Sequence, residues 1–419
     1  MSQAKVIEID VSRIPLDEMD VSNPYLFQND TIGEYFRRLR AEDPVHYCAN
    51  SRVGPYWSLT KFNDIVRVET DHKTFSSDAA RGGIAFGGIG KPDGAAAMGG
   101  LEMFIAMDPP KHDEQRKVVS PMVAPANLET LGPIIRARAA AILDSLPLGK
   151  EIDWVDLVSI ELTTMTLATL FDFPWDERRK LTRWSDVLTS SPGNGVDSWE
   201  QWQQEIMECG AYFKELWDQR AGGEPKNDLI SMLAGSPATA NMPFMEFLGN
   251  ILQLIVGGND TTRNSISGGV LALNENPAEY AKLMKNPGLI PGMVSEIIRW
   301  QTPITCMMRT AVCDAEIGGK TIREGDKVVM WYLSGNRDSE VIDRADEFLI
   351  DRKNPRQHLS FGFGIHRCVG NRLAELQLQI IWEEIIKRFS KVEVVGKPVR
   401  TLSQVIHGFT RMPVILHPL

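Results

Sequence analysis

The 419 residues carry a net charge of −10, which excludes the basic footprint expected of a general nucleic-acid binder. Hydrophobic residues make up 43% and charged residues 24%, the balance of a globular chain with a substantial core and not of a disordered or fibrous one. Five cysteines with no C-x-x-C pair argue against a disulfide framework and for a reducing compartment. The amino-terminal MSQAKVIEIDVSRIP lacks an apolar signal-peptide core, and no apolar run approaches the roughly 18 residues of a membrane span. The expectation is a cytoplasmic monomer that binds no nucleic acid.

No low-complexity tract, linker or repeat divides the chain, so residues 1–419 read as one domain, with 1–30 as an extended N-terminal arm. Val45–Tyr47 and Tyr56–Thr60 flank a turn-prone Asn50–Pro55 and read as a hairpin. Residues 76–108 open on a long Gly/Ala-rich stretch with almost no charge, a candidate gating loop. Three-and-four spacing of apolar residues predicts helices over 128–146, 154–172 and 198–220. The helix-breaking run TSSPGNGVD at 189–197 is a second candidate gate. Residues 244–276, from Pro243 to Pro277, form the longest predicted helix, and 289–300 a shorter one. Ala315–Ile317, Lys320–Ile322 and Lys327–Trp331 read as strands around Gly pairs and turns. A last helix runs from about Cys368 to Phe389. The fold class is therefore mainly α with a small segregated β region.

The segment from Phe361 to Gly370, Phe-Gly-Phe-Gly-Ile-His-Arg-Cys-Val-Gly, carries the strongest chemistry. A lone cysteine is by default a small buried hydrophobe. Cys368 departs from that default because a glycine-punctuated loop feeds it into a helix, whose positive end favours thiolate. Gly362, Gly364 and Gly370 would let a flat ligand approach the backbone. A low-pKa nucleophile stays open, needing a base and an orienting group. Zinc is disfavoured, with no second ligand at suitable spacing, and a thiolate-ligated haem explains more of the segment.

Three further patterns stand beside it. Gly257-Gly258-Asn259-Asp260-Thr261-Thr262 lies inside the longest helix, where two glycines cost roughly 1 kcal/mol each relative to Ala. A helix crossing would explain small residues, as at Gly268-Gly269, but a distorted turn with Asp and Thr can also hold water and relay protons. Glu296 and Arg299, three apart, read by themselves as a common surface pair. His112 and Arg116 share one helix face and read by themselves as solvated.

Together these motifs resemble the cytochromes P-450, and F-x-x-G-x-H-R-C-x-G resembles the haem-binding loop of that family. The resemblance implies a prism of helices with a long central helix over haem b (iron protoporphyrin IX). It implies that Cys368 ligates the iron, that Phe361 packs beside the ring, and that Gly370 belongs to the same loop. It gives His112, Arg116, Arg309 and His366 the haem propionates, places Gly257 and Gly258 where the helix passes over the haem and leaves room for oxygen, and makes Thr261 and Asp260 the catalytic pair that steadies oxygen and feeds protons. Glu296, Arg299 and Arg352 become a buried structural ion-pair network.

The stretches LEMFIAMDPPKHD, VGGNDTTRNSISGG, SEIIRWQTP and VVMWYLSGNRD resemble the soluble bacterial branch that hydroxylates alkanes and fatty acids at the terminal carbon. That implies a monooxygenase using O2, with electrons from a [2Fe–2S] ferredoxin and a flavin-containing NAD(P)H reductase, since the chain carries no dinucleotide fingerprint or Fe–S spacing of its own. Lys111, Lys117, Arg356, Arg367 and Arg372 are candidates for the docking face. Expected contacts to an apolar chain are Ile84, Phe86, Leu101, Leu254, Ile255, Gly258, Ile304, Met307 and Ile406, with Met98, Met103 and Phe104 as further wall candidates. Arg81 is the one nearby cation for a carboxylate. Terpenoid, steroid or cyclic-amine hydroxylation is the alternative, and a non-catalytic haem sensor the alternative of another class.

Overall fold

A 32-residue helix, Phe244–Glu275, is the axis of the molecule. Pro243 caps its start without needing an intrahelical N–H, and Pro277, two residues past its end, opens the next helix, Pro277–Lys285. The computed structural model describes residues 10–87, 100–221, 223 and 226–419. Around the central helix pack the helices Glu161–Leu170, Arg179–Leu188, Trp199–Arg220, Ile290–Gln301 and Asn371–Ile386. The main apolar core lies between them, and two smaller clusters sit beneath the N-terminal helices and around a sheet. Among the described residues no helix is long and apolar enough to cross a membrane.

The sheet has five strands in the order Val45–Cys48, Tyr56–Leu59, Lys327–Trp331, Cys306–Ala311, Phe75–Ser76. Lys327–Trp331 runs parallel to Tyr56–Leu59 and antiparallel to Cys306–Ala311. This register sets Arg309 opposite Val328 in a buried central strand. Phe389–Val394, Pro413–Pro418 and Glu151–Asp153 form a separate three-stranded sheet.

The helix-dominated reading with segregated strands holds. Helices predicted from 128, 198, 244 and 289 begin at Pro125, Trp199, Phe244 and Ile290. The stretch predicted as one helix over 154–172 starts instead with a π-helical segment, Val155–Ile160, before the α-helix Glu161–Leu170. The N-terminal arm is not extended where it is described. Residues 11–28 wind into turns and the short helix Pro24–Gln28, because Met19, Val21 and Phe27 are buried in a core cluster with Trp331. The last helix begins at Asn371, three residues later than expected, with Gly370 as its cap. Residues 88–99 of the 76–108 gate, Met98 included, lie outside the described residues.

Glycines mark where elements approach the central helix. A Cβ on Gly269 would stand 2.8 Å from Ile297 Cδ1, and one on Gly268 2.3 Å from Gln301 Oε1, so this pair is the crossing with Ile290–Gln301. At Gly249 a Cβ would fall 2.1 Å from the carbonyl oxygen of Glu102. That contact is backbone and cannot rotate away. It seats the end of the gate on the helix, where the Phe104 N–H donates to Asn250 Oδ1 at 2.9 Å and the Ile105 N–H to Gln253 Oε1 at 3.1 Å. We expect Gly249→Ala to cost about 1–3 kcal/mol through this overpacking. Gly132→Ala, in a helix with nothing within 4 Å, should gain up to about 1 kcal/mol from helix propensity. Urea unfolding midpoints of the two variants check the pair; equal midpoints would mean that the Glu102 contact does not constrain the chain.

Candidate active site

A cavity of about 820 Å³ reaches the interior, within the ~300–1,000 Å³ typical of ligand sites. Its walls join the central helix, the loop before Asn371, the strand Cys306–Ala311 and the helix Lys111–Val119.

The loop is closed on itself by the Cys368 N–H, which donates to the carbonyl of Phe361 at 2.8 Å. Phe361, His366, Cys368 and Gly370 all line the cavity. Cys368 counts as exposed because its surface faces the cavity; its position is interior. Burial accordingly pushes the thiol above its ordinary value, opposed by the Gly370 N–H and by Arg116 and Arg367. The thiolate-favouring helix end is thus delivered as a single N–H, Cys368 itself lying outside the helix. The glycines also divide. Gly370 has nothing within 4 Å and leaves open wall, whereas Gly362 and Gly364, both at φ +64°, are hemmed in by Glu69.

A rim of cationic and donor groups borders the same cavity: His112, Arg116, Arg309 and His366. His112 and His366 stand with ring centroids 4.3 Å apart. The Nε2 of His112 and both ring nitrogens of His366 are buried without a hydrogen-bond partner. Burial, then Arg309, pushes the His366 imidazole down to about 2. Unpartnered donors beside two guanidinium groups are a receptor for carboxylates. Together with the single cysteine among the described wall residues and the open face at Gly370, they fit a planar, anionic-edged cofactor such as haem.

On the central helix Gly257, Gly258, Thr261, Thr262 and Ser265 face the cavity. Gly257 has open space beside it, while a Cβ on Gly258 would meet Leu167 Cδ2 at 2.6 Å. Of the two glycines expected to leave room there, Gly257 has it, while Gly258 is held small by packing against Leu167. The Thr261 hydroxyl donates to the carbonyl of Gly257 at 3.1 Å, and Ser265 Oγ to the carbonyl of Thr261 at 2.9 Å. These bonds loosen the helical turn next to the cavity. Asp260 is not on the cavity wall. It is fully buried and points to the helix Arg179–Leu188, where Arg263 lies 2.8 Å away and Ser185 Oγ donates at 3.2 Å. Arg263 in turn pairs at 2.6 Å with Asp186, whose side chain is half-exposed. Burial pushes the Asp260 carboxyl up to about 6, with Arg263 opposing and Asp186 adding to the rise.

Glu296, Arg299 and Arg352 meet as one network, which their spacing alone left as a surface pair. Arg299 donates to Glu296 at 2.8 and 2.7 Å, and Arg352 at 3.0 and 3.1 Å. Both members of the helical pair have zero side-chain exposure. Although burial pushes the Glu296 carboxyl up, its bonds to Arg299 and Arg352 hold it below its ordinary value. Neither arginine lines the cavity.

Of the expected substrate contacts, Ile84, Leu254, Gly258, Ile304, Met307 and Ile406 line the wall, as do Met103 and Phe104. Phe86, Leu101 and Ile255 do not. Phe86 packs edge-on to Tyr56 and Trp331. Leu101 lies in the main core, and Ile255 sits on the helix face turned away from the cavity. Thr189–Asn194 from the second candidate gate is on the wall, tied to the 402–406 segment by Asn194 Nδ2 donating to the Leu402 carbonyl at 3.0 Å. Arg52 and the exposed Tyr25 are on the wall, and Arg81 is not. Sequence reading also missed Glu69 and Tyr332, which line the cavity next to Arg309.

The cytochrome P-450 family model matches residues 145–413. The structure is similar to that of cytochrome P-450-153 from Novosphingobium aromaticivorans, with a TM-score of 0.88 and 42% identity over 95% of this chain and 99% of that one. It is also similar to CYP153D17 from a Sphingomonas species, at 0.87 and 46%, over 96% and 99%. In sequence it is 35% identical to linalool 8-monooxygenase of Pseudomonas putida over 96% of this chain and 100% of that protein.

The raised Asp260 carboxyl has a measurable signature. Its folded value near 6 lies above the ordinary unfolded value of about 3.9. Between these limits the folded state binds more protons, so stability falls as pH rises from about 4 to 6 and levels above. We expect Asp260→Asn to remove that slope. The stability difference between variant and parent should shift in the variant's favour across the window, by at most ~3 kcal/mol. Urea titrations at pH 4.5, 5.5 and 7 test this, and parallel pH profiles would refute it.

Proposed function

The chain belongs to the cytochrome P-450 family, and on that premise we propose that it hydroxylates the terminal carbon of medium-chain alkanes, with fatty acids second. The net reaction is R–H + O2 + 2e⁻ + 2H⁺ → R–OH + H2O. Family members bind haem b through a cysteine thiolate, and when bound the haem supplies the oxygen chemistry. The observation that carries the substrate reading is the wall of the cavity. Leu254, Ile84, Phe104, Ile304 and Met307 are apolar, and the cavity continues from Thr261 and Cys368 to the exposed Tyr25 and Arg52. A flexible hydrocarbon chain gains from burial along such a wall without needing polar partners.

In this reading Cys368 would supply the thiolate that holds the haem iron, and the Gly370 N–H would temper its charge. Arg309, Arg116, His112 and His366 hold the carboxylate edge of the cofactor. The Thr261 hydroxyl donates to the Gly257 carbonyl at rest and leaves its oxygen as an acceptor facing the reacting side; it becomes a donor there when the O–H turns away from Gly257. Asp260 exchanges protons with solvent at the half-exposed Asp186, to which Arg263 links it without giving up its own proton, and feeds them inward toward the neighbouring Thr261. A carboxyl near 6 sits close enough to neutrality to gain and lose a proton in each cycle.

Electrons come from a [2Fe–2S] ferredoxin and its reductase. Lys111 is committed to Glu102 and Glu246, and Arg356 to Glu375, which leaves Lys117, Arg367 and Arg372 to form the basic docking face. Arg52 gives a fatty-acid carboxylate a partner at the outer wall. A terpenoid alcohol is the second reading, supported by the similarity to linalool 8-monooxygenase.

Two measurements test the proposal. With a reconstituted ferredoxin system, n-octane should give 1-octanol as main product and a larger spin-state shift than linalool or a steroid. Preferential turnover of linalool would move the assignment to the terpenoid reading. Thr261→Ala should divert most reducing equivalents to peroxide, lowering product per NADH by about 10-fold or more, in line with ~10²–10⁴ for a lost proton-transfer group. Unchanged coupling would remove Thr261 from the mechanism.

A further inference from the structure

Glu69 sits on the helix Phe62–Thr70, nearly 300 residues before Cys368, and its side chain is 1% exposed. Its carboxylate nevertheless meets two side chains of the cavity wall and the loop that carries Cys368. The Phe363 N–H, five residues before Cys368 in the loop, donates to Oε2 at 3.1 Å. The Tyr332 hydroxyl donates to Oε1, and Arg309 Nη2 stands 3.4 Å from the same oxygen. The main chain of Glu69 is equally close, since a Cβ on Gly364 would fall 2.3 Å from its carbonyl oxygen. Glu69, Tyr332, Arg309, Gly362 and His366 all line the cavity along one stretch of wall.

Burying a carboxylate in such a place is costly unless it is paired and hydrogen-bonded. Glu69 satisfies that condition through Arg309 and Tyr332 of the cavity wall and through the Phe363 N–H of the cysteine loop. Among the described residues Arg309 has one other acceptor, the carbonyl of Met308 at 2.8 Å, and Glu69 is its acidic partner. A guanidinium shared between Glu69 and a second carboxylate is held in a fixed direction, as a two-sided clamp.

We infer that Glu69 is a positioning residue for the haem: it aims Arg309 at the carboxylate edge of the cofactor and fastens the Cys368 loop through the Phe363 N–H. The inference rests on the haem-thiolate reading of the cavity. Removing the carboxylate leaves Arg309 buried without its acidic partner, and leaves the Phe363 N–H and the Tyr332 hydroxyl without an acceptor. It also removes a negative charge from the rim, which makes the reduced, more negative cofactor easier to form.

The experiment uses the holoenzyme and three variants: Glu69→Ala, Glu69→Gln and Tyr332→Phe. Haem transfer to excess apomyoglobin gives the release rate. The reduced carbon-monoxide difference spectrum gives the thiolate-ligated fraction, and redox titration the midpoint potential. Glu69→Ala should release haem at least 10-fold faster than the parent and lose part of the thiolate-type spectrum. Glu69→Gln keeps an acceptor for Phe363 but not the charge. It should release haem at an intermediate rate and shift the potential positive. Tyr332→Phe keeps the carboxylate and should stay within a few-fold of the parent. If Glu69→Ala does not accumulate as folded protein, the Gln variant decides through its potential and release rate. Release rates within two-fold of the parent together with an unmoved potential would overturn the role of Glu69 while leaving the haem reading intact. A parent without a thiolate-type spectrum would overturn both.

Discussion

The cavity depends on one buried ion pair that never touches it. Glu296 and Arg299 neutralise each other at zero exposure, and Arg299 spends its remaining donors on the carbonyls of Asn336, Ala345 and Glu347, at 2.7, 2.8 and 2.8 Å. Asn336, fixed in this way, accepts the Leu359 N–H at 2.7 Å and donates to Ser360 Oγ at 2.9 Å. Ser360 then donates to the carbonyl of Ile298, back on the helix that carries the pair. The circuit ends one residue before Phe361, where the cysteine loop starts. Breaking a buried pair of this kind typically costs ~3–5 kcal/mol because it strands a charge. Here the loss would propagate through named bonds to the segment that presents Cys368.

From that anchor the loop is held on two sides. The Glu296 circuit reaches it at residues 359–360, and Glu69 reaches it at Phe363. Between and beyond these points, the N–H of Cys368 closes the turn on Phe361. A ligand sulfur must be positioned closely to be useful, and three separate attachments along ten residues supply that constraint without a side-chain cap at the helix start. The same economy shapes the cationic rim. Arg309 comes from a central strand, Arg116 and His112 from a helix, and His366 from the loop, so the four groups converge only when sheet, helix and loop are all in register.

Much of this was legible in the sequence where the signal is local. The cysteine loop, the central helix between its two prolines, and the Glu296–Arg299 spacing are short-range patterns, and each led to the right segment. What spacing could not supply was burial. Glu296 and Arg299 look like a surface pair until Arg352 arrives from 53 positions beyond Arg299. Asp260 looks like a wall residue until the helix phase turns it toward Ser185. Phe86, Leu101 and Ile255 were expected on the wall because they are apolar and near gate or helix motifs, but apolar side chains in those segments serve the core as readily as the cavity. Glu69 did leave a trace. It follows Phe62 and Ile65 at helical spacing on the buried face of Phe62–Thr70, and a carboxylate in an apolar stripe needs a partner.

The two glycines of the central helix show how packing and chemistry share one turn. Leu167 forbids a side chain at Gly258, so the helix Glu161–Leu170 lies closely against this turn. That contact leaves Gly257 as the position with open space on the cavity side. Thr261 then bonds back to the Gly257 carbonyl, a bond that competes with the regular helical ladder at the same oxygen. Asp260, one residue earlier, points to the opposite side, into the Arg263–Asp186 pair. Adjacent residues on a helix diverge by about 100°, so one turn can place a hydroxyl in the cavity and a carboxyl on a path to the surface. The tight contact at Gly258 holds that turn in place against Leu167, which is why a position of low helix propensity lies at the middle of the longest helix among the described residues.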